Sequence, residues 1–311
     1  MGTGKKVQIL LSTYNGDKYL REQLNSFLQL DYFNECKVLI RDDGSTDKTR
    51  TILQEYEKYE QFQIFYGDNI GITDSYLWLM EHSDPNCLYF SPSDQDDVWL
   101  PDKLARMEPL LRETDVPKLV FSDFSTIDGD GVRTGGSYAA SAGLRIPQDG
   151  DFFPKLLAQP YVFGCACGIN RRLLELSLDL PDGIEMYDCW IALTAALLGK
   201  VEYLPEQTIQ HRFHSSNATG RAGQNSFLMR LKRVSRGFGT QRENTALRLR
   251  QVTLLRRQYA ELLPPETDAM LAALERAQHG GPAAVSALKK RGVGRGGAMQ
   301  NLFFYLTVLV Q

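Results

Sequence analysis

An α/β fold built on a mostly parallel sheet is what this sequence predicts, on three observations. Short apolar runs alternate with stretches of helical periodicity, and a polar loop follows each run. Those loops collect carboxylates, hydroxyls and amides at the carboxyl ends of strands, where open α/β sheets bind ligands. At 311 residues the chain has room for one large α/β domain with an appendage or for two modest domains.

Val7 to Leu11 is the first apolar run and ends in Ser12-Thr13-Tyr14-Asn15-Gly16; Leu20, Leu24, Phe27 and Leu28 then recur at helical spacing. A second unit repeats the plan with Val38 to Ile40, the loop Arg41 to Asp47, and a helix carrying Ile52, Leu53, Tyr56 and Tyr59, which Ser45, Thr46 or Asp47 can cap. Gln63 to Tyr66 reads as a third strand, leading to Asp68-Asn69-Ile70-Gly71 and a helical stretch over Tyr76 to Met80. Leu88 to Phe90 forms a fourth strand and empties into Asp94, Asp96 and Asp97. Three carboxylates that close repel unless a cation shares them, and a hard divalent ion with oxygen ligands is the usual partner, although a solvated acidic turn has the same composition. Pro101 suits the first turn of the next helix, whose face carries Leu104, Met107 and Leu111. Leu119 to Phe121 predicts a further strand, and the Gly- and Ser-rich stretch Asp128 to Gly143 predicts a loop. Beyond it come a small-residue segment, Gly164 to Gly168, a helix opened by Tyr187-Asp188-Cys189-Trp190, and a strand over Val201 to Leu204.

There is no Gly-rich dinucleotide fingerprint and no phosphate-loop Gly-Lys-Ser/Thr, so a bound phosphate would be held by metal and side chains. Three loops in order, Thr13-Tyr14-Asn15, Asp42-Asp43-Gly44-Ser45-Thr46-Asp47 and Asp94-Gln95-Asp96, resemble those of the family 2 glycosyltransferases with the GT-A fold. The resemblance covers about residues 5 to 220. It implies a GT-A type, Rossmann-like sheet flanked by helices, and an inverting, metal-dependent transfer of a sugar from a nucleoside diphosphate. On the donor side it implies Thr13, Tyr14, Asn15, Asp43, Asn69, Asp94, Gln95 and Arg212; for Mn²⁺ or Mg²⁺ it implies Asp96, Asp94 and His214. The segment Glu185 to Trp190 is similar to the His-Asp-Trp-Trp of bacterial rhamnosyltransferases, with Tyr187 and Cys189 in place of His and the first Trp. That similarity makes Asp188 the expected base, with Asp123 as the alternative, and sets Asp123, Trp99 and Trp190 on the acceptor side. Arg212, His214 and Asn217 match an Arg-x-His-x-x-Asn of the family, and Asp-Gln-Asp-Asp-Val-Trp resembles transferases that use thymidine diphosphate L-rhamnose. The alternatives are a UDP-hexose-dependent relative, a non-catalytic nucleotide-sugar-binding or scaffold subunit, and a phosphatase whose Asp-x-Asp-x-Val begins at Asp94.

Charge divides the chain: through Gly220 it holds 20 Lys and Arg against 33 Asp and Glu, and after it 15 against 5. We therefore take residues 1–220 as the nucleotide-sugar-binding and catalytic domain and residues 221–311 as a basic, helical C-terminal extension. In the extension Val252, Leu255, Tyr259 and Leu262 share a face, Pro264-Pro265 ends that helix, and an apolar run closes the chain at Leu302 to Val310. No nucleic-acid recognition motif accompanies its arginines. The resemblance implies a lipid-linked saccharide acceptor, so the extension either meets an anionic membrane surface or packs on the catalytic domain or a second copy of the chain. Five cysteines without paired metal spacing, no signal-peptide core and no run of ~20 apolar residues predict a cytoplasmic protein. The lipid-linked acceptor that the resemblance implies, with the basic extension, sets the expected place as peripheral, at the inner face of a bacterial cell membrane.

Overall fold

A computed structural model describes residues 6–112, 115–147, 150–184, 186–214 and 227–311, the side chains of 227–238 excepted. The expectations for Glu185 and Asn217 lie outside the described residues.

The first four strands are β1 (Val7–Thr13), β2 (Cys36–Asp43), β3 (Phe62–Gly67) and β4 (Tyr89–Ser93), separated by the helices α1 (Leu20–Leu28), α2 (Thr49–Tyr56) and α3 (Ile72–Glu81). They pair in parallel in the order β3-β2-β1-β4. Their apolar runs are continuous because both faces are covered. On β1, Ile9 and Leu11 join Phe27 and Leu53 in one cluster, while Leu10 joins Leu39 and Phe90 in the other. Register does the rest of the positioning. Leu11 lies level with Ile40 of β2 and with Ser93 of β4, so the loops after three strands emerge side by side.

The sheet continues less regularly. After β5 (Val98–Trp99), α4 (Lys103–Leu111) carries Leu104, Met107 and Leu111 inward as expected, and β6 (Lys118–Ile127) runs past the predicted strand. The stretch expected as a loop holds β7 (Arg133–Gly135), antiparallel to the end of β6, and a short helix α5 (Tyr138–Ser141). Ser137 caps α5 by accepting the Ala140 N–H, and the Tyr138 ring stacks on Phe124 at 4.6 Å between centroids, so two aromatics anchor a segment whose composition is otherwise that of a loop. Then follow α6 (Phe153–Ala158), β8 (Cys167–Asn170), α7 (Arg171–Leu176), α8 (Tyr187–Leu198) and β9 (Lys200–Arg212). β8 is antiparallel to both neighbours, β4 and β6; β9 pairs in parallel with β6 and antiparallel with β5. The complete order is β3-β2-β1-β4-β8-β6-β9-β5 with β7 beside β6, a GT-A-like, mostly parallel sheet flanked by helices.

Four helices close the chain: α9 (Phe227–Gln258), α10 (Pro265–Glu275), α11 (Gly281–Lys290) and α12 (Ala298–Leu309). α9 stops at Gln258, before the prolines, and Pro265 instead opens α10, where its missing N–H costs nothing. Leu249, Val252 and Leu255 of α9, Tyr259 just after it, and Phe304 and Val308 of α12 are buried in the same apolar cluster as Leu10, Phe90 and Trp190. One face of the extension therefore packs on the core of the sheet itself. Among the described residues no helix is long and apolar enough to cross a membrane.

Candidate active site

The loops after β1 and β2 are wired together before they reach any ligand. Asn15 sits in the left-handed region at φ 46°, donates its N–H to Ser45 Oγ at 2.9 Å and accepts the Thr46 N–H on Oδ1 at 2.8 Å. Thr13 is buried and its hydroxyl donates to Asp42 Oδ1 at 3.3 Å; Asp42 also accepts from Arg50 Nε at 2.6 Å and the Ser45 N–H at 3.1 Å. Thr13 and Asn15 thus brace the second loop and do not line the cleft. Gly44 has φ +81°, and a Cβ there would come within 2.7 Å of the Asn69 nitrogen, so backbone conformation and close approach both demand glycine.

Asp43 lines the cleft with most of its acceptor capacity in use. Oδ1 takes a bond from Arg41 Nη1 and from the Ile70 N–H (2.9 Å), and Oδ2 takes the Gly71 N–H (3.0 Å). Of the roughly four lone-pair positions on a carboxylate one remains, on Oδ2. Arg41 is 5 % exposed and spans from Asp43 to the Asp68 carbonyl and Ser75 Oγ, a buried clamp that nothing in the sequence pattern announces.

Tyr14, Asp43, Asn69, Asp94, Gln95, Asp96 and Asp188 all line one cavity of about 450 Å³, together with Tyr76, Phe163, Gly164, Met186, Tyr187 and His211. The acidic loop supplies its floor. Burial, then the charges of Asp97 and Asp96, push Asp94 up to about 7. Burial and Asp97 likewise raise Asp96, against the opposing pull of His214, whose Nε2 lies 2.7 Å from Asp96 Oδ2. The third acid faces away. Asp97 is fully buried; its Oδ1 lies 2.8 Å from His211 Nδ1 and accepts the Arg212 N–H at 3.0 Å. Burial works against both charges of that pair, yet Asp97 is held low and His211 is raised to about 9, because each neutralises the other.

Across the cleft, α8 begins. The Tyr187 ring stacks on Tyr76 at 4.1 Å between centroids, and the Tyr76 hydroxyl donates to the Ser93 carbonyl at 2.6 Å and reaches Asp94 Oδ1 at 3.4 Å. The next residue, Asp188, accepts the Gly164 N–H on Oδ2 at 3.1 Å and its neighbour's Cys189 N–H on Oδ1 at 2.8 Å. Burial raises its pKa above the ordinary carboxylate value, and those two N–H groups only moderate the rise. Gly164 has no room for a side chain, since a Cβ would collide with the Tyr187 hydroxyl.

Four expected contacts lie elsewhere. Arg212 is 1 % exposed beneath the acidic loop: Nε donates to the Asp96 carbonyl at 2.9 Å, Nη1 to the Asp128 carbonyl at 3.1 Å, and Nη2 pairs with Glu22. It supports the loop and does not face a donor. Asp123 is buried and spends Oδ1 on the Ala139 and Phe124 N–H groups, anchoring α5. Trp99 is in the core, edge-on to Phe27 at 4.9 Å, and Trp190 packs on Tyr259, the residue after α9. Large rings on strand β5 and the inner face of α8 are drawn into the interior by their area. Lys103, fully buried, lies 4.1 Å from the Trp99 ring and donates to the Cys165 carbonyl at 2.7 Å; burial pushes it down to about 8. Its signal is visible in the sequence, for Lys103, Met107 and Leu111 follow one helical face, and a lysine there has to find partners inside.

The donor set suits a hard divalent cation at Asp94 and Asp96, with His214 beside the latter: burial and then neighbouring carboxylate charge raise both acids, and a cation would offset the second of these. A tighter group, Asp94, Asp97, Cys165 and His211, has ligand-type atoms within 4.8 Å of one another. It suits such an ion less well. Burial holds the Cys165 thiol protonated, and Asp97 is already neutralised by His211.

The family model for Glycosyl transferase family 2 matches residues 8–176. Among curated proteins the chain is similar to an uncharacterized glycosyltransferase of Nostoc sp., 25% identical over 218 residues that make up 68% of this chain and 66% of that protein. It is similar to another of Rickettsia typhi, 26% identical over 223 residues, 70% of this chain and 66% of that one. The chain therefore spans just under two thirds of the length of these relatives. A putative teichuronic acid biosynthesis glycosyltransferase, TuaG of Bacillus subtilis, is 28% identical over 128 residues, 40% of this chain and 49% of that protein. Among solved structures, TarS of S. aureus in complex with UDP-GlcNAc superposes with a TM-score of 0.58 at 16% identity, covering 88% of this chain and 72% of that one. A mannosyltransferase of Pyrobaculum calidifontis in complex with GDP-Man and Mn²⁺ gives 0.53 at 17% identity, covering 93% and 73%. At these identities the superpositions establish the fold.

Proposed function

Because this chain belongs to glycosyl transferase family 2, we propose that it is an inverting, metal-dependent glycosyltransferase acting on a nucleoside diphosphate sugar, with dTDP-L-rhamnose as donor. The acceptor on this reading is a hydroxyl of a lipid-linked glycan in bacterial cell-surface polysaccharide synthesis, which sets the work at the inner face of the membrane. The observation that carries it is the pairing of unlike carboxylates in one cleft: Asp94 and Asp96 crowded on one loop, and Asp188 alone at the start of α8.

Tyr14 would pack on the base, and the open lone pair of Asp43 Oδ2 would accept the pyrimidine imide N–H, with Asn69 alongside. Asp94, Asp96 and His214 would hold Mn²⁺ or Mg²⁺ against the diphosphate, where the ion offsets the charge that grows on the leaving group. Asp188 takes the proton from the attacking hydroxyl. Its raised pKa brings it nearer the working pH, which is where a general base is most effective. The Gly164 and Cys189 N–H groups hold its carboxylate in place while it does so.

A thermal-shift screen of nucleoside diphosphate sugars with and without Mn²⁺ tests the reading, since a ligand that binds only the folded state stabilises it. The expected result is Mn²⁺-dependent stabilisation by dTDP-rhamnose, followed by donor turnover with the purified protein. Stabilisation by UDP-hexoses alone would replace the donor. Binding without any turnover, acceptor included, would replace the enzyme by a nucleotide-sugar-binding subunit.

A further inference from the structure

Helix α12 carries apolar side chains on two opposite sides. Phe304, Thr307 and Val308 face inward and are buried. On the other side Met299 is 75%, Leu302 55%, Leu306 39%, Leu309 43% and Val310 48% exposed. At helical spacing these five fall within an arc of about 100°. Along one edge of the stripe stands Tyr305, whose ring lies 4.9 Å from the Lys289 ammonium at the end of α11 and whose hydroxyl donates to the Val293 carbonyl.

Charge accompanies the stripe. From Arg276 to Gln311 the sequence holds Arg276, Lys289, Lys290, Arg291 and Arg295 and not one Asp or Glu. Arg295 turns inward to the Ala158 carbonyl and Gln241. Arg276, Lys290 and Arg291 line a groove of about 500 Å³ whose other residues are mostly Ala and Gly.

Two occupants could cover such a face, and charge separates them. A second copy related by a two-fold axis would set the same basic rim against itself. An anionic bilayer offers headgroups of the opposite sign and an apolar layer a few ångströms below them. We propose that α12 lies in the headgroup boundary of an anionic membrane, with Met299, Leu302, Leu306 and Leu309 in the acyl region and Lys289, Lys290 and Arg291 on the phosphates. This rests on the lipid-linked acceptor of the proposed function and names the surface that would meet its membrane.

The test uses the full chain with vesicles of phosphatidylcholine alone and of phosphatidylcholine mixed with phosphatidylglycerol. Co-sedimentation is expected with the mixed vesicles at low salt and is lost at high salt. Lys290→Gln with Arg291→Gln should weaken partitioning about 10-fold or more, from about 1 kcal/mol per basic residue near the surface. Leu302→Ser with Leu306→Ser should abolish it at any salt. Leu302, Leu306 and Lys290 are exposed, Arg291 is half-buried, and all four lie outside the cleft, so donor-induced thermal shifts in the absence of vesicles should be unchanged in both variants. A chain that ignores anionic vesicles, or a dimer in sedimentation velocity that Leu302→Ser with Leu306→Ser dissociates, would overturn the membrane assignment. Vesicle binding without any donor response would leave this surface standing and remove the transferase reading.

Discussion

The side-chain amide of Gln95 pairs with the backbone of Tyr14 at both ends: Nε2 donates to the Tyr14 carbonyl at 3.0 Å, and Oε1 accepts the Tyr14 N–H at 2.9 Å. One residue of the acidic loop thereby fixes the loop expected to pack on the nucleobase. Gln95→Glu keeps the acceptor but turns a carboxylate oxygen toward the Tyr14 carbonyl. The one bond lost, of about 0.5–1.5 kcal/mol, sets the scale, so donor binding should weaken roughly 2- to 12-fold. Calorimetric titration of the donor checks this, and unchanged affinity would show that the clamp does not shape the base site.

Asp188→Asn preserves shape and removes the base. Turnover should fall by about 10²- to 10⁴-fold with donor affinity retained. On the proposed reading the ionised form of Asp188 does the work, and burial raises its pKa, so turnover should climb with pH over a range displaced upward from that of an ordinary carboxylate. Near-normal turnover in the Asn variant would move the base elsewhere.

Gly164 and Tyr187 make a paired prediction. Gly164→Ala drives a methyl into the Tyr187 hydroxyl and disturbs the N–H that holds Asp188, so kcat should drop at least about 10-fold, the cost of a base slightly out of line. Adding Tyr187→Phe removes the colliding oxygen and should recover most of the loss. No recovery in the double variant would mean that the alanine acts by some other route.

The proposed metal dependence would be linked to pH through Asp94. Its pKa rises from 3.8 to about 7 on folding, so the folded state binds the extra proton between those values. Stability of the metal-free protein should therefore decline as pH rises from 3.8 to about 7, and Mn²⁺ added near neutrality should restore it. Asp94→Asn should flatten that slope, and Asp96→Ala should abolish metal-dependent donor binding. Full activity in excess chelator would overturn the metal role.

What the sequence makes legible are features that repeat or crowd. Apolar runs mark β1, β2 and β4 because both faces of those strands are buried, and three acids before Val98 mark the loop that carries Asp94 and Asp96. Side-chain direction is not legible. Arg212 and Asp123 sit near the right loops, but each turns its polar group to backbone atoms brought in from residues distant in sequence, the Asp96 and Asp128 carbonyls and the Ala139 N–H. Tyr76 gives no sign of its place in the cleft, because a tyrosine on an apolar helix face looks like core until Tyr187, 111 residues on, stacks against it.

The place of β9 has a consequence for the order of synthesis. This strand lies between β6 and β5 and delivers His211 to Asp97 and the Arg212 guanidinium to the Asp96 carbonyl. A nascent chain emerging from the ribosome has the whole acidic loop in hand more than a hundred residues before those cations arrive. Until then burying Asp97 would strand an unpaired charge, so the loop should stay hydrated and the cleft should close last. The β3-β2-β1-β4 half of the sheet can form early, but the nucleotide site proposed at its edge would mature only when β9 docks.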